Sequence, residues 1–205
     1  MRTKRLTRCN NCGLSQNLCI CSTLPALTTR TQIVLLSHRI ELGKTTNTAK
    51  LVASMLGEHA KLIQSHEPWQ PHDPAHTYVL FPTEDAVPLE TVAHEVRSLI
   101  IPDGTWVQAR RIARRHPACQ PLRKVQLTAA LRSNYTLRRS HLQNGLCTLE
   151  AAAEALRVLN EVPKADALLT AFTGWIERAQ LVRAGAHDIR TFRDPEGSLH
   201  KETRD

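Results

Sequence analysis

Residues 99–115 read Leu99-Ile100-Ile101-Pro102-Asp103-Gly104-Thr105-Trp106-Val107-Gln108-Ala109-Arg110-Arg111-Ile112-Ala113-Arg114-Arg115. Three branched apolar residues form a short buried-strand pattern, Pro102 to Gly104 break it, and a helical periodicity runs from about Thr105 to Arg115. A strand that feeds a polar turn and then a helix is half of a β-α-β unit. In such units ligands gather beyond the carboxyl end of the strand.

The same grammar repeats on either side. Gln32 to Ser37 reads as a strand followed by a helix from about Thr46 to Leu56, and Thr77 to Phe81 as a strand followed by a helix from about Leu89 to Arg97. Lys124 to Leu127 reads as a further strand, and Leu149 to Asn160 and Ala165 to Val182 as long helices. Parallel strands need crossover connections, so this alternation predicts an α/β fold with a mainly parallel sheet and helices on both faces. Three loops then share the ligand-binding edge: Ser37 to Thr46, Pro82 to Ala86, and Pro102 to Trp106.

The chain has 205 residues, of which 41% are hydrophobic, enough for one ordinary core with a small appendage. No apolar run is long enough to cross a bilayer, and the basic start leads into cysteines rather than a signal core, which predicts a cytoplasmic protein without a membrane partner. Lys and Arg number 27 against 19 acidic residues, a formal charge of +8. That excess suits a polyanion, or serves solubility alone. With aromatics at 4%, recognition through phosphates and shape is favoured over a stacking platform.

Four of six cysteines fall in one stretch, Cys9, Cys12, Cys19 and Cys21. Clustered thiols without a secretion signal point to soft-ligand tetrahedral metal binding, zinc above all, with Gly13 easing the turn after the first pair. Unligated or redox-active thiols are the other reading. The composition changes at Leu24-Pro25, so residues 1–25 are expected to form the metal-binding module and residues 26–205 the catalytic domain.

The candidate site residues each carry two readings. Asp103 is either a catalytic carboxylate or a helix cap, and Gly104 permits close approach of backbone to ligand. Thr46-Asn47-Thr48 is a capping sequence or an anion site. Arg110, Arg111, Arg114 and Arg115 are a solvated stripe or phosphate contacts. Thr148 is placed to cap the helix after Gly145-Leu146-Cys147. No glycine-rich nucleotide cradle and no nucleophile elbow is present.

Taken as a set, Thr46-Asn47-Thr48, Asp103-Gly104-Thr105-Trp106 with Gln108-Ala109-Arg110, Tyr135 with Leu137-Arg138-Arg139, and Leu146-Cys147-Thr148-Leu149-Glu150-Ala151, together with the cysteine cluster, resemble the DTW-domain family from about Cys9 to Asn160. Ala49-Lys50 stands where Gly-Arg is common in that family, and Cys147 where Ser is frequent. The resemblance implies a SPOUT-like, trefoil-knotted fold and a tRNA-uridine aminocarboxypropyltransferase using S-adenosylmethionine as co-substrate. It implies a tRNA partner, with Leu80, Phe81, Pro82, Pro102, Gly104, Leu146, Cys147 and Thr148 around the adenosine.

Within that implied reaction Asp103 would act on the uridine N3 proton as general base or orienting acceptor. Thr105 would hydrogen-bond the base or cofactor, and Trp106 would pack behind the loop or against a ring. Asn47, Arg110, Arg114, Tyr135, Arg138 and Arg139 are the expected substrate contacts. Two competing readings remain: a methyltransferase using the same co-substrate, and a non-catalytic zinc-bearing RNA-binding protein.

Overall fold

The computed structural model describes residues 7–128, Ser133, Tyr135, Leu137 and residues 145–184. Its strands are β1 (Gln32–Ser37), β2 (Ala60–Gln64), β3 (Thr77–Leu80), β4 (Val87–Pro88), β5 (Ser98–Asp103) and β6 (Lys124–Gln126). They form one sheet in the order β2-β1-β5-β3-β6-β4, and every pairing in it is parallel. The helices are α1 (Arg39–Leu42), α2 (Thr48–Leu56), α3 (Leu89–Val92), α4 (Trp106–Arg115), α5 (Thr148–Val158) and α6 (Val162–Arg183).

Strand side chains alternate between two cores, because successive residues of a strand point to opposite faces. Ile33, Leu35, Tyr78, Leu80, Leu99 and Ile101 enter the larger core with α2, α3, α5 and α6. Val34, Leu36, Val79, Phe81 and Ile100 enter the smaller one with Ala109, Ile112 and Ala113 of α4. Both faces of the sheet are thereby covered by helices, as the alternation of elements predicted. Among the described residues no helix is long and apolar enough to cross a membrane.

The observed elements depart from the expected ones at three places. The helix expected from Leu89 to Arg97 stops at Val92. By Arg97 the chain is already joining the sheet, its N–H donating to His76 O and its carbonyl accepting from Gln32 N. β2 and β4 were not foreseen. β2, Ala-Lys-Leu-Ile-Gln, is an edge strand whose residues are only partly buried or exposed, and β4 has two residues, so neither carries an apolar run. The knot implied by the resemblance depends on the chain path between β6 and α5, most of which lies outside the described residues.

The cysteine-rich segment packs onto the larger core. Cys12, Leu14 and Ile20 are buried in the larger core, and Trp175 Nε1 of α6 donates to Cys12 O at 2.7 Å. A second long-range fastening joins the α5–α6 corner to the entry of β1. Asn160 adopts the left-handed conformation at φ 61°, which an asparagine tolerates well at a helix end. Buried Glu161 then accepts from Arg30 N at 3.0 Å and Thr31 N at 3.2 Å. Glu161→Ala orphans these two donors and is expected to cost about 2 kcal/mol, lowering Tm by roughly 4–8 °C in a thermal melt. An unchanged Tm would mean that water replaces the carboxylate without loss.

Candidate active site

Asp103 is the last residue of β5 and lies beside Ser37, the last residue of β1. By the alternation of the strand its side chain faces the α2 and α5 side of the sheet. There it is 5% exposed and meets donors from three separate segments. Oδ2 accepts from Ser37 Oγ and from Asn47 Nδ2 at 2.9 Å, and Oδ1 accepts from Thr148 Oγ1 at 2.5 Å. A carboxylate offers about four acceptor positions. One position on Oδ1 is therefore open among the described residues, beside a group whose orientation is otherwise fixed.

Each donor is set by local structure. Asn47 is the N-cap of α2, its Oδ1 accepting from Lys50 N at 3.0 Å, which leaves its amide NH2 to face Asp103. Thr148, expected to cap α5, is instead the first residue of that helix, with Cys147 as the N-cap. The reason is that Glu150 accepts from Cys147 N at 2.8 Å, closing a capping box one residue earlier and freeing the Thr148 hydroxyl for Asp103. Ser37 was not singled out from the sequence. Its signal was present, as the one polar residue ending an otherwise apolar strand.

The capping reading of Asp103 is corrected in the same way, because the N-cap of α4 is Thr105. Thr105 Oγ1 accepts from Gln108 N at 3.3 Å while Gln108 Oε1 accepts from Thr105 N at 2.8 Å. A β-carbon on Gly104 would come within 2.9 Å of Gln108 Cβ. Glycine there is thus required by the capping box that turns the chain from strand to helix. The remaining face of Gln108 reaches back across the sheet edge, Nε2 lying 3.3 Å from His38 Nδ1. Trp106 packs on Phe81 with ring centroids 5.5 Å apart, against the smaller core.

The other expected site residues are distributed around this centre. Leu80 and Phe81 point into opposite cores, so what they offer a ligand is backbone, while Pro82 is exposed. Pro102 is buried within β5, and Leu146 and Cys147 are half-buried before α5. Burial pushes the Cys147 thiol up, keeping it neutral. Tyr135 stacks beside Phe172 and Trp175 at 5.5 and 6.3 Å and donates to Thr46 O at 2.7 Å, fastening the segment that precedes Asn47. Arg110, Arg111, Arg114 and Arg115 are exposed on α4, and none is in a salt bridge among the described residues. Arg138 and Arg139 lie outside the described residues.

Cys9, Cys12, Cys19 and Cys21 converge so that all four sulfurs lie within 4.8 Å of one another. The Cys9–Cys21 and Cys12–Cys19 sulfurs are 3.6 and 3.7 Å apart. A tetrahedron with metal–sulfur bonds of about 2.3 Å has edges of about 3.8 Å, so the four thiols fit a metal ion. Burial opposes ionisation of Cys9, yet hydrogen bonds from the Cys12 and Asn11 backbone outweigh it and bring that thiol to about 6. Gly13, at φ 74°, sits against the next loop so closely that a β-carbon would lie 2.3 Å from Thr45 O.

Residues 6–180, which hold the parallel sheet and the buried Asp103, match the DTW domain family, to which this chain belongs. It is similar to the tRNA-uridine aminocarboxypropyltransferase 2 proteins of Drosophila melanogaster and Macaca fascicularis. The first is 32% identical over 78% of this chain and 69% of the relative, and the second 30% identical over 77% and 58%. The chain thus spans 58% to 69% of these curated relatives' length. In fold it is similar to the SAM-dependent rRNA:acp-transferase Tsr3 from Vulcanisaeta distributa, with a TM-score of 0.52 and 19% identity, covering 78% of this chain and 85% of that one.

Proposed function

We propose that this chain transfers the 3-amino-3-carboxypropyl group of S-adenosylmethionine to N3 of a uridine in tRNA, releasing methylthioadenosine. The observation that carries the reading is the convergence of Ser37, Asn47 and Thr148 on the Asp103 carboxylate at the ligand-binding edge of a DTW domain. Its relatives' names supply the reaction. A bond forms between N3 and the γ-carbon as the bond from that carbon to sulfur breaks, and the electron pair stays on sulfur. The N3 proton passes to the open position of Asp103 Oδ1 and on to solvent.

The protein's share of the work is orientation, since the sulfonium activates the methyl carbon as well as the propyl chain. Asp103 and its three donors form the fixed end of that alignment. The backbone at Leu80, Phe81, Pro82, Pro102 and Gly104, with Leu146, Cys147 and Thr148, surrounds the adenosine in this reading. Arg138 and Arg139 take the co-substrate carboxylate or an RNA phosphate, and Arg110 and Arg114 take phosphates. Capping uses only the acceptor side of the Thr105 hydroxyl, and among the described residues its proton is left for a base or co-substrate. We assign zinc to the four-cysteine site in residues 1–25, treat residues 26–205 as the catalytic domain, and place the protein in the cytoplasm.

Incubating the purified protein with unmodified tRNA and S-adenosylmethionine, followed by nucleoside mass analysis, is expected to show aminocarboxypropyluridine and an equal amount of methylthioadenosine. Adenosylhomocysteine in its place would make the protein a methyltransferase. Absence of both across a range of tRNAs would leave only RNA binding.

A further inference from the structure

Two strands outward from Asp103, beyond the end of β2, residues 65–70 fold against the end of α4 and line an open cavity of about 450 Å³. Its walls include Ser65, His66, Glu67, Trp69, Gln70 and His116. Pockets of roughly 300–1,000 Å³ accept small organic groups of the size of a nucleoside or larger. We propose that this cavity receives an unstacked nucleotide of the tRNA other than the uridine that is modified, its base lying on Trp69. The proposal rests on the RNA substrate of the preceding section and adds a second point of recognition to it.

The cavity is held in shape by bonds on both sides. Ser65 N donates to Ser37 O at 2.8 Å, tying the near wall to the residue that holds Asp103. Opposite, His116 caps α4, its Nδ1 accepting from Ala118 N at 3.2 Å, and its ring lines the cavity together with Ser65. Trp69 is half-buried, packing on the smaller core with one part while another lines the cavity. An indole anchored in this way presents a rigid surface to a base at little entropic cost. His66 and Gln70 are exposed at the rim, where they offer hydrogen-bonding groups to a base edge.

The basic helix that leads to the cavity favours RNA as its occupant, with the carboxylate of Glu67 leaving room at the rim for a base rather than a phosphate. The exposed Arg110, Arg111, Arg114 and Arg115, none in a salt bridge among the described residues, lie on the helix that starts next to Asp103 and ends at His116. A phosphate backbone following α4 therefore connects the two places, leaving one nucleotide at each end. Sequence-tolerant stacking of a splayed base is the usual way proteins grip the loops of folded RNA.

The test uses the intact protein with an unmodified tRNA transcript, measuring tRNA affinity, S-adenosylmethionine affinity and turnover at saturating tRNA. Trp69→Leu, which keeps an apolar side chain on the core, is expected to weaken tRNA binding about tenfold, within the span of one lost base stack, and to raise KM for tRNA. Its kcat and S-adenosylmethionine binding should be unchanged, and Trp69→Phe should recover most of the affinity. If Trp69→Leu fails to fold, the rim pair His66→Ala with Gln70→Ala decides, with a loss of about threefold or more expected. Affinity within twofold of the parent for these variants, while the parent binds and modifies tRNA, would overturn the cavity's role alone. A parent that binds no tRNA would overturn the RNA reading and this proposal with it.

Discussion

Asp103→Asn is expected to lower turnover by roughly 10² to 10⁴ while the protein stays folded, the range that loss of a positioned base or acceptor commonly produces. The structure explains why folding survives. An amide can keep its oxygen toward Asn47 Nδ2 and Ser37 Oγ and turn its NH2 toward Thr148, whose hydroxyl rotates from donor to acceptor. What disappears is the negative charge and the acceptor position left on Oδ1. Asp103→Ala is harsher, because three donors in a buried place lose their acceptor together, at about 1–3 kcal/mol for each group left unsatisfied. Methylthioadenosine release in a single turnover, with a melt on each variant, separates chemistry from folding. Should Asp103→Asn keep more than a tenth of parental turnover, Asp103 only orients and another group takes the N3 proton.

Gly13→Ala should be the most damaging change outside the site itself. The residue has φ 74°, and a β-carbon would meet Thr45 O at 2.3 Å and Thr45 Cα at 3.0 Å, all backbone that no rotamer change can clear. Strain and displacement together are expected to cost about 2–4 kcal/mol. Thr45 leads into Thr46, held by Tyr135, and Asn47, the donor to Asp103, so the displacement reaches the carboxylate. Turnover and Tm should therefore fall together in Gly13→Ala. Stripping the proposed zinc with a chelator, followed by elemental analysis, should do the same to the parent. Full turnover in metal-free protein would separate the cysteine site from catalysis.

How far the sequence revealed this arrangement depends on how local each cause was. β1, β5, α2 and α4 were legible because their apolar spacing and caps lie within a few residues of one another. β2 was not, since an edge strand that is never fully buried has no reason to carry an apolar run. Asp103 and Asn47 were recognised as candidates, but that they touch was not readable. Ser37 and Thr148 reach Asp103 from 66 and 45 positions away, and only the parallel register and the capping box of α5 bring them there. The capping reading of Asp103 failed for a related reason. Two cap-forming residues, Asp103 and Thr105, compete for one helix end, and the glutamine three places after Thr105 selects between them.

The contact between Trp175 and Cys12 spans 163 positions of chain. During synthesis the four thiols emerge well before the helix that closes over them, which is made after the whole sheet and α5. The neighbourhood of Asn47 is therefore finished only when α6 docks, and a chain that stops short of Trp175 lacks the bond that fastens its cysteine loop.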